Sequence, residues 1–322
     1  MMSISSKITG YGHCVPSKSL TNDDLSKIVD TNDEWISTRT GIRSRYIAEN
    51  ETTSDLAAKA AQMALKNANI SAQDIDLLVL GTITPDYTTP SAALVTAKKI
   101  GIKEGVPAFD VSAACSGFVY SLTMADNMIR LGQAKNALVI GAETLSKITD
   151  WSDRGTCVLF GDGAGAVVLQ ATENEDETGV LSTKIFAACD YVDNLRTNGG
   201  VSTTKQAGYI TMDGKEVFKY AVNALAAGAD AALSIAKLSA DDVDWLLPHQ
   251  ANIRIIDGTA QKMGFDKSKV LTNIANHGNT SAASIPLALS QKVNDGTVKK
   301  GDIVLLTSMG AGFTWGGAVI KI

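Results

Sequence analysis

Two stretches of this chain repeat one another, and that repeat limits the fold more than any single motif does. Ser71-Ala72-Gln73-Asp74-Ile75-Asp76-Leu77-Leu78 returns as Ser239-Ala240-Asp241-Asp242-Val243-Asp244-Trp245-Leu246. Each copy follows an alanine-rich segment, Leu56 to Asn69 and about Val217 to Leu238, with apolar residues at helical spacing. Downstream, the strand-like Ala137-Leu138-Val139-Ile140-Gly141 answers to Ile303-Val304-Leu305-Leu306, and Gly165-Ala166-Val167-Val168-Leu169 answers to Gly317-Ala318-Val319-Ile320. The chain therefore reads as two similar halves, 1–174 and 175–322. They divide within Thr172 to Thr178, an acidic segment without apolar periodicity that reads as a solvated loop. Each half alternates short apolar strands with helices, which predicts α/β layers around a core made from both copies.

Composition removes several classes of function. With 322 residues, 45% of them apolar and 20% charged, the chain can bury a sizeable core and does not read as disordered. No apolar run reaches membrane-spanning length, and Met1-Met2-Ser3-Ile4 lacks the basic and apolar regions of a signal peptide, so a cytoplasmic location is expected. Cys14, Cys115, Cys157 and Cys189 show neither CxxC spacing nor a histidine at metal-ligand spacing, which predicts no disulfide framework, no zinc site and a reducing compartment. A net charge of −5 without a basic block argues against nucleic-acid binding. Gly161-Asp162-Gly163-Ala164-Gly165 runs into a strand-like segment, whereas a dinucleotide fingerprint opens a helix. Gly310-Ala311-Gly312-Phe313-Thr314-Trp315-Gly316-Gly317 has the same shape, so close backbone packing or approach to a ligand explains both runs better than nucleotide binding.

The remaining chemistry gathers at three places. Cys115 stands where the strand-like run from Pro107 to Val111 turns through Ser112-Ala113-Ala114 into an amphipathic helical pattern. A helix start directed at the sulfur is expected to lower the thiol pKa; a free cysteine is otherwise a small core residue. His249, in Leu246-Leu247-Pro248-His249-Gln250-Ala251-Asn252, follows an apolar strand and precedes a helix, within reach of a ligand or serving structure alone. Asn279, in Asn276-His277-Gly278-Asn279-Thr280-Ser281-Ala282-Ala283-Ser284, reads as a turn opening the next helix, where an N-cap role is the plainer alternative. Across the repeat, the Cys115 and Asn279 segments occupy matching places. Pseudo-symmetry predicts that the two helix starts meet at the centre of the fold.

These segments, together with Asp33-Glu34-Trp35-Ile36, Thr38-Arg39-Thr40-Gly41-Ile42 and Asp153-Arg154-Gly155-Thr156, resemble the β-ketoacyl-acyl carrier protein synthase III family over nearly the whole chain. The resemblance implies a thiolase-like, five-layered αβαβα fold from duplicated halves and a homodimer. It implies a Cys115-His249-Asn279 triad, and the asparagine, where elongating condensing enzymes carry a second histidine, points to the initiating branch. The implied reaction joins an acyl-CoA primer to malonyl-acyl carrier protein through an acyl-Cys115 intermediate, starting fatty acid synthesis. No metal or redox cofactor is implied, and the backbone N–H groups of Cys115 and Ala311 form the expected oxyanion hole.

Other assignments follow from the resemblance alone. Trp35, Arg39 and Arg154 are expected at the coenzyme A nucleotide, and Lys219, Arg254 and Lys262 at a basic rim that docks the acidic carrier protein. The polar stretch Asp190 to Tyr209 is expected to wall the mouth. Two positions depart from the commonest pattern: Ala311 replaces a glycine, and Thr89 replaces the aromatic residue of acetyl-specific members, which a dimer partner contributes to the acyl pocket. Thr89 thus implies room for a longer or branched primer. A sister condensing enzyme of a polyketide or signalling pathway is the main alternative. A Cys-His-Asn thioester hydrolase has no need of a duplicated chain, and a silent carrier-binding module has no need of a complete triad.

Overall fold

Both copies of the repeat open in the same way. The Ser71 backbone N–H and hydroxyl donate to Asp74 at 2.8 and 2.7 Å, and those of Ser239 donate to Asp242 at 2.8 and 2.7 Å. Each serine-acid box closes one 3-10 turn and delivers the chain into a parallel strand, Leu77–Gly81 or Trp245–Pro248. The structure is a computed structural model and describes residues 4–173 and 178–322. The expected division between residues 174 and 175 lies outside the described residues.

The two halves build sheets of matching order. In the first, Ser5–Cys14, Gly163–Thr172, Asn136–Glu143, Leu77–Gly81 and Ala108–Val111 lie side by side, the last three parallel and Gly163–Thr172 antiparallel to both neighbours. In the second, Trp245–Pro248 runs parallel to Ile303–Gly310, and Thr314–Lys321 is antiparallel to both Ile303–Gly310 and Gly179–Ala187. The counterpart of Ala108–Val111 is reduced to one bridge between Leu246 and Val270.

Strand alternation sorts the side chains into layers. Leu77, Val79 and Val139 of the first sheet and Leu247, Val304 and Leu306 of the second point inward, onto the helices Gly117–Arg130 and Ser284–Asn294. Leu78, Leu80, Leu138 and Ile140 point outward onto the helices Thr53–Ala68 and Ala92–Ile100. Leu246, Leu305 and Val319 point outward onto Gly214–Ala236 and Ile253–Lys262. Helix, sheet, helix, sheet and helix layers follow in turn, the thiolase-like fold that the resemblance implied.

The glycine runs pack closely, as the sequence suggests. A Cβ on Gly165 would lie 2.2 Å from the backbone nitrogen of Leu287 on an inner helix. All four cysteines are free. Among the described residues, no helix is long and apolar enough to cross a membrane, and no cluster of three or more His, Cys, Asp or Glu is arranged to hold a metal ion.

Candidate active site

The two inner helices begin with the same unusual turn. Cys115 belongs to the 3-10 turn Ala114–Ser116 ahead of Gly117–Arg130, and Asn279 precedes the 3-10 turn Ser281–Ala283 ahead of Ser284–Asn294. Ala114 and Ser281 hold φ of 46° and 49°, a left-handed conformation that costs a non-glycine residue about 1–2 kcal/mol. The turns abut: a Cβ on Gly117 would lie 3.2 Å from the Ala282 Cβ. A cavity of about 630 Å³ opens beside them, lined by Cys115, His249, Asn279, Ser281 and Ala311.

His249 follows the strand Trp245–Pro248, and its N–H donates to Thr307 O at 2.8 Å. Its Nδ1 lies 2.7 Å from the Ser284 hydroxyl, and burial pushes its pKa down to about 3, so the ring is neutral. Asn279 is gripped through its backbone, which donates to Leu159 O at 2.8 Å and accepts from Gly161 N at 3.0 Å. Its side-chain oxygen accepts from Ser281 N–H at 2.9 Å, which leaves the amide N–H group for the cavity.

Cys115 corrects one expectation. Burial pushes its thiol up to about 12, against the opposing effect of the Ser281 hydroxyl and helped by the nearby Glu143 charge. A helix terminus is worth at most about 2 kcal/mol in a partly buried site, and loss of hydration outweighs it here. The group is a thiol at neutral pH.

The backbone segments of Cys115 and Ala311, expected to form an oxyanion hole, are held together by close contacts. Gly310 presses so closely on the Cys115 turn that a Cβ there would lie 2.7 Å from the Cys115 nitrogen. The Thr314 hydroxyl stands 3.1 Å from both Ala113 O and Ala311 O and 2.6 Å from the Ser116 hydroxyl, joining the two segments.

Several residues at the site escaped sequence reasoning. Glu143, fully buried at the end of its strand, accepts from Thr84 Oγ1 at 2.6 Å, Thr82 Oγ1 at 3.1 Å and Ile83 N at 3.1 Å. Burial raises its pKa to about 7. An acid closing an otherwise apolar strand run is the signal that marks it. Ser281 and Ser284 lie in the run that carries Asn279, but the partner of Ser284, His249, is distant in sequence.

The mouth gathers only some of the expected residues. Trp35 and Arg39 line the cavity, and the guanidinium groups of Arg39 and Arg154 stand 4.7 and 4.9 Å from the Trp35 ring centre. Arg154 also donates to Asp30 O at 2.9 Å. Val192, Leu195, Arg196 and Thr197 of the Asp190 to Tyr209 stretch form part of the wall. Exposed Arg254 reaches Thr38 O at 3.4 Å, and exposed Lys219 pairs with Glu216 at 2.6 Å. Lys262, on the last turn of its helix, and exposed Thr89 do not line the cavity of their own chain.

Cys115, His249 and Asn279 thus line one cavity, most of whose wall is apolar. A family model of 3-oxoacyl-[acyl-carrier-protein] synthase III matches residues 109–188, and the model of its C-terminal part matches 233–322. A model of stage V sporulation protein AD matches 40–148. The β-ketoacyl-[acyl-carrier-protein] synthase III of Rhodospirillum centenum is 54% identical over 99% of this chain and 100% of its own length. The crystal structure of 3-oxoacyl-[acyl-carrier-protein] synthase III from Aquifex aeolicus superposes with a TM-score of 0.93 at 47% identity, covering 98% of this chain and 100% of that one. The priming β-ketosynthase of the R1128 polyketide pathway also superposes at 0.93, with 33% identity over 99% of this chain and 97% of that one. Matched from end to end in both sequence and fold, the chain belongs to the β-ketoacyl-[acyl-carrier-protein] synthase III family of condensing acyltransferases.

Proposed function

We propose that Cys115, His249 and Asn279 carry in this chain the reaction of its family, the condensation of an acyl-CoA primer with malonyl-acyl carrier protein that starts fatty acid synthesis. Cys115 attacks the thioester of the primer, coenzyme A leaves, and an acyl-enzyme remains. Malonyl-acyl carrier protein then loses carbon dioxide. The electron pair left behind forms an enolate whose oxygen accepts from His249 and Asn279, donors worth typically about 10²–10³ in rate each. The carbanion attacks the acyl-Cys115 carbonyl, whose developing oxyanion rests on the N–H groups of Cys115 and Ala311. Collapse releases a β-ketoacyl-acyl carrier protein and the cysteine, with one proton taken up overall. The steps require no metal or redox cofactor.

The observation that carries this reading is the meeting of Cys115, His249 and Asn279 on one cavity wall. Around it, the halves 1–174 and 175–322 supply the nucleophile and the donors respectively. Trp35, with Arg39 and Arg154 over its ring, suits the adenine and phosphates of coenzyme A, and Lys219, Arg254 and Lys262 offer positive charge to the carrier protein. A cytoplasmic homodimer completes the reading, its partner lending Thr89 to the acyl pocket. Superposition on the R1128 priming enzyme supports the same chemistry in a polyketide pathway as the second reading, with lower identity.

The deciding experiment is intact-protein mass spectrometry after incubation with a panel of acyl-coenzymes A. An adduct of acyl mass on the peptide carrying Cys115 is expected, and its identity names the primer. An adduct on another residue, or none with any primer, overturns the assignment.

A further inference from the structure

The contact behind His249 decides where that ring carries its hydrogen. His249 and Ser284 are 2% and 1% exposed, and Nδ1 of the ring lies 2.7 Å from the serine oxygen. The same oxygen accepts the Gln250 backbone N–H at 3.4 Å. These are the hydroxyl's hydrogen-bond partners among the described residues. A hydroxyl has one hydrogen to give, and a neutral imidazole has one nitrogen that gives and one that accepts.

Two arrangements fit the short contact. With hydrogen on Nδ1, the serine oxygen receives two N–H groups, and its own hydrogen, deep in the protein, meets no acceptor. Leaving a buried donor unpaired is costly. With hydrogen on Nε2, the hydroxyl donates to Nδ1 while accepting from Gln250, and each of these groups is paired. We infer that Ser284 is a positioning residue that holds His249 as the Nε2–H tautomer.

The inference rests on the enolate-donor reading of His249 and sharpens it. Nε2 becomes a fixed donor with no lone pair free for the Cys115 proton, and the Asn279 oxygen is already engaged by Ser281 N–H at 2.9 Å. The triad therefore presents Cys115 with donors and no free base. In acylation the sulfur–carbonyl bond forms, the bond from the carbonyl to the coenzyme A sulfur breaks, and the thiol proton ends on the departing coenzyme A thiolate.

The test is ¹⁵N NMR of protein labelled at its 3 histidines, with His249 assigned by its absence in His249→Gln. Near neutral pH, wild-type His249 should show a protonated Nε2 and a bare Nδ1. Ser284→Ala should move population toward Nδ1–H and slow malonyl-acyl carrier protein decarboxylation by about tenfold or more, with Cys115 acylation changed by less than about twofold. Ser284→Thr keeps a hydroxyl and should keep the wild-type tautomer. A wild-type His249 with its hydrogen on Nδ1 overturns the inference without any variant. A Ser284→Ala protein whose ring stays wholly Nε2–H overturns it equally. If the tautomer moves while decarboxylation does not, Ser284 is upheld and the enolate role of His249 fails instead.

Discussion

The Cys115 turn and the Asn279 turn share a backbone and, in the proposed mechanism, divide the chemistry between them. Each places one non-glycine residue at positive φ, Ala114 or Ser281, and then starts an inner helix through a 3-10 turn. Superposing Ala114 on Ser281 sets Cys115 against Ala282, which is 1% exposed, and Ser112 against Asn279. The first turn therefore presents a sulfur and a backbone N–H at its helix start. The second buries that position and turns the residue three places earlier, Asn279, to the cavity. The two halves bring two helix starts to one centre, and in the proposed mechanism the register of a few side chains makes one the nucleophile and the other the donor array.

The sharpest way to break this comparison is to exchange the nucleophile. Cys115→Ala should abolish acylation in intact-mass measurements while still slowly decarboxylating malonyl-acyl carrier protein. Adding Ala282→Cys should not restore the adduct, because that position is buried beneath the turn; a restored adduct would make the two turns interchangeable.

Removing the donors tests the other half. His249→Ala and Asn279→Ala should each lower malonyl decarboxylation by about 10²–10³, with a smaller loss of Cys115 acylation. Wild-type decarboxylation in both variants would take the enolate away from the second half.

Effects at the edges are smaller. Thr89→Phe should cut the acylation rate constant for medium-chain or branched primers about tenfold, at roughly 1 kcal/mol for each lost methylene contact, and leave acetyl-CoA nearly unchanged. A wild type that already rejects everything beyond propionyl would show that other residues close the pocket. Arg254→Glu should raise the Michaelis constant for malonyl-acyl carrier protein severalfold without altering acylation by a small acyl-CoA, since a rim charge steers the acidic partner. Equal losses with both substrates would give Arg254 a structural role instead.

The least effect is thermal. His249 and His277, both in the second half, are pushed by burial to about 3 and about 4 from an ordinary 6.5. Below pH 6.5 the unfolded chain gains protons that these native rings refuse. Their stabilisation is therefore complete above pH 6.5 and lost as pH falls to about 4 for His277 and about 3 for His249. The melting temperature should decline over that window, and less steeply in His249→Gln. Parallel profiles for the two proteins would show that His249 contributes nothing to the dependence.

Much of the frame was legible because it is written in short-range terms. The serine-acid boxes at Ser71 and Ser239, the alternating strands that follow and the helical spacing of the alanine-rich segments each depend on neighbours within a turn or two. The glycine runs declared close packing by leading into strands. Cys115, His249 and Asn279 stood out because each interrupts regular structure at an element's end. What could not be read were pairings between distant segments: Ser284 behind His249, Thr314 across the Cys115 turn, and Glu143 among Thr82, Ile83 and Thr84.

Sequence by itself determined the duplicated α/β architecture, the family and the residue types available for chemistry, since local periodicity and motif spacing do not depend on how the halves meet. Only the tertiary structure decided the protonation states. The same cysteine that a helix start favours as a thiolate becomes a thiol once packing removes water, and a histidine that would titrate near neutrality becomes a neutral ring. Hydration lost on burial depends on every surrounding segment, so the charge of a buried group belongs to the assembled fold.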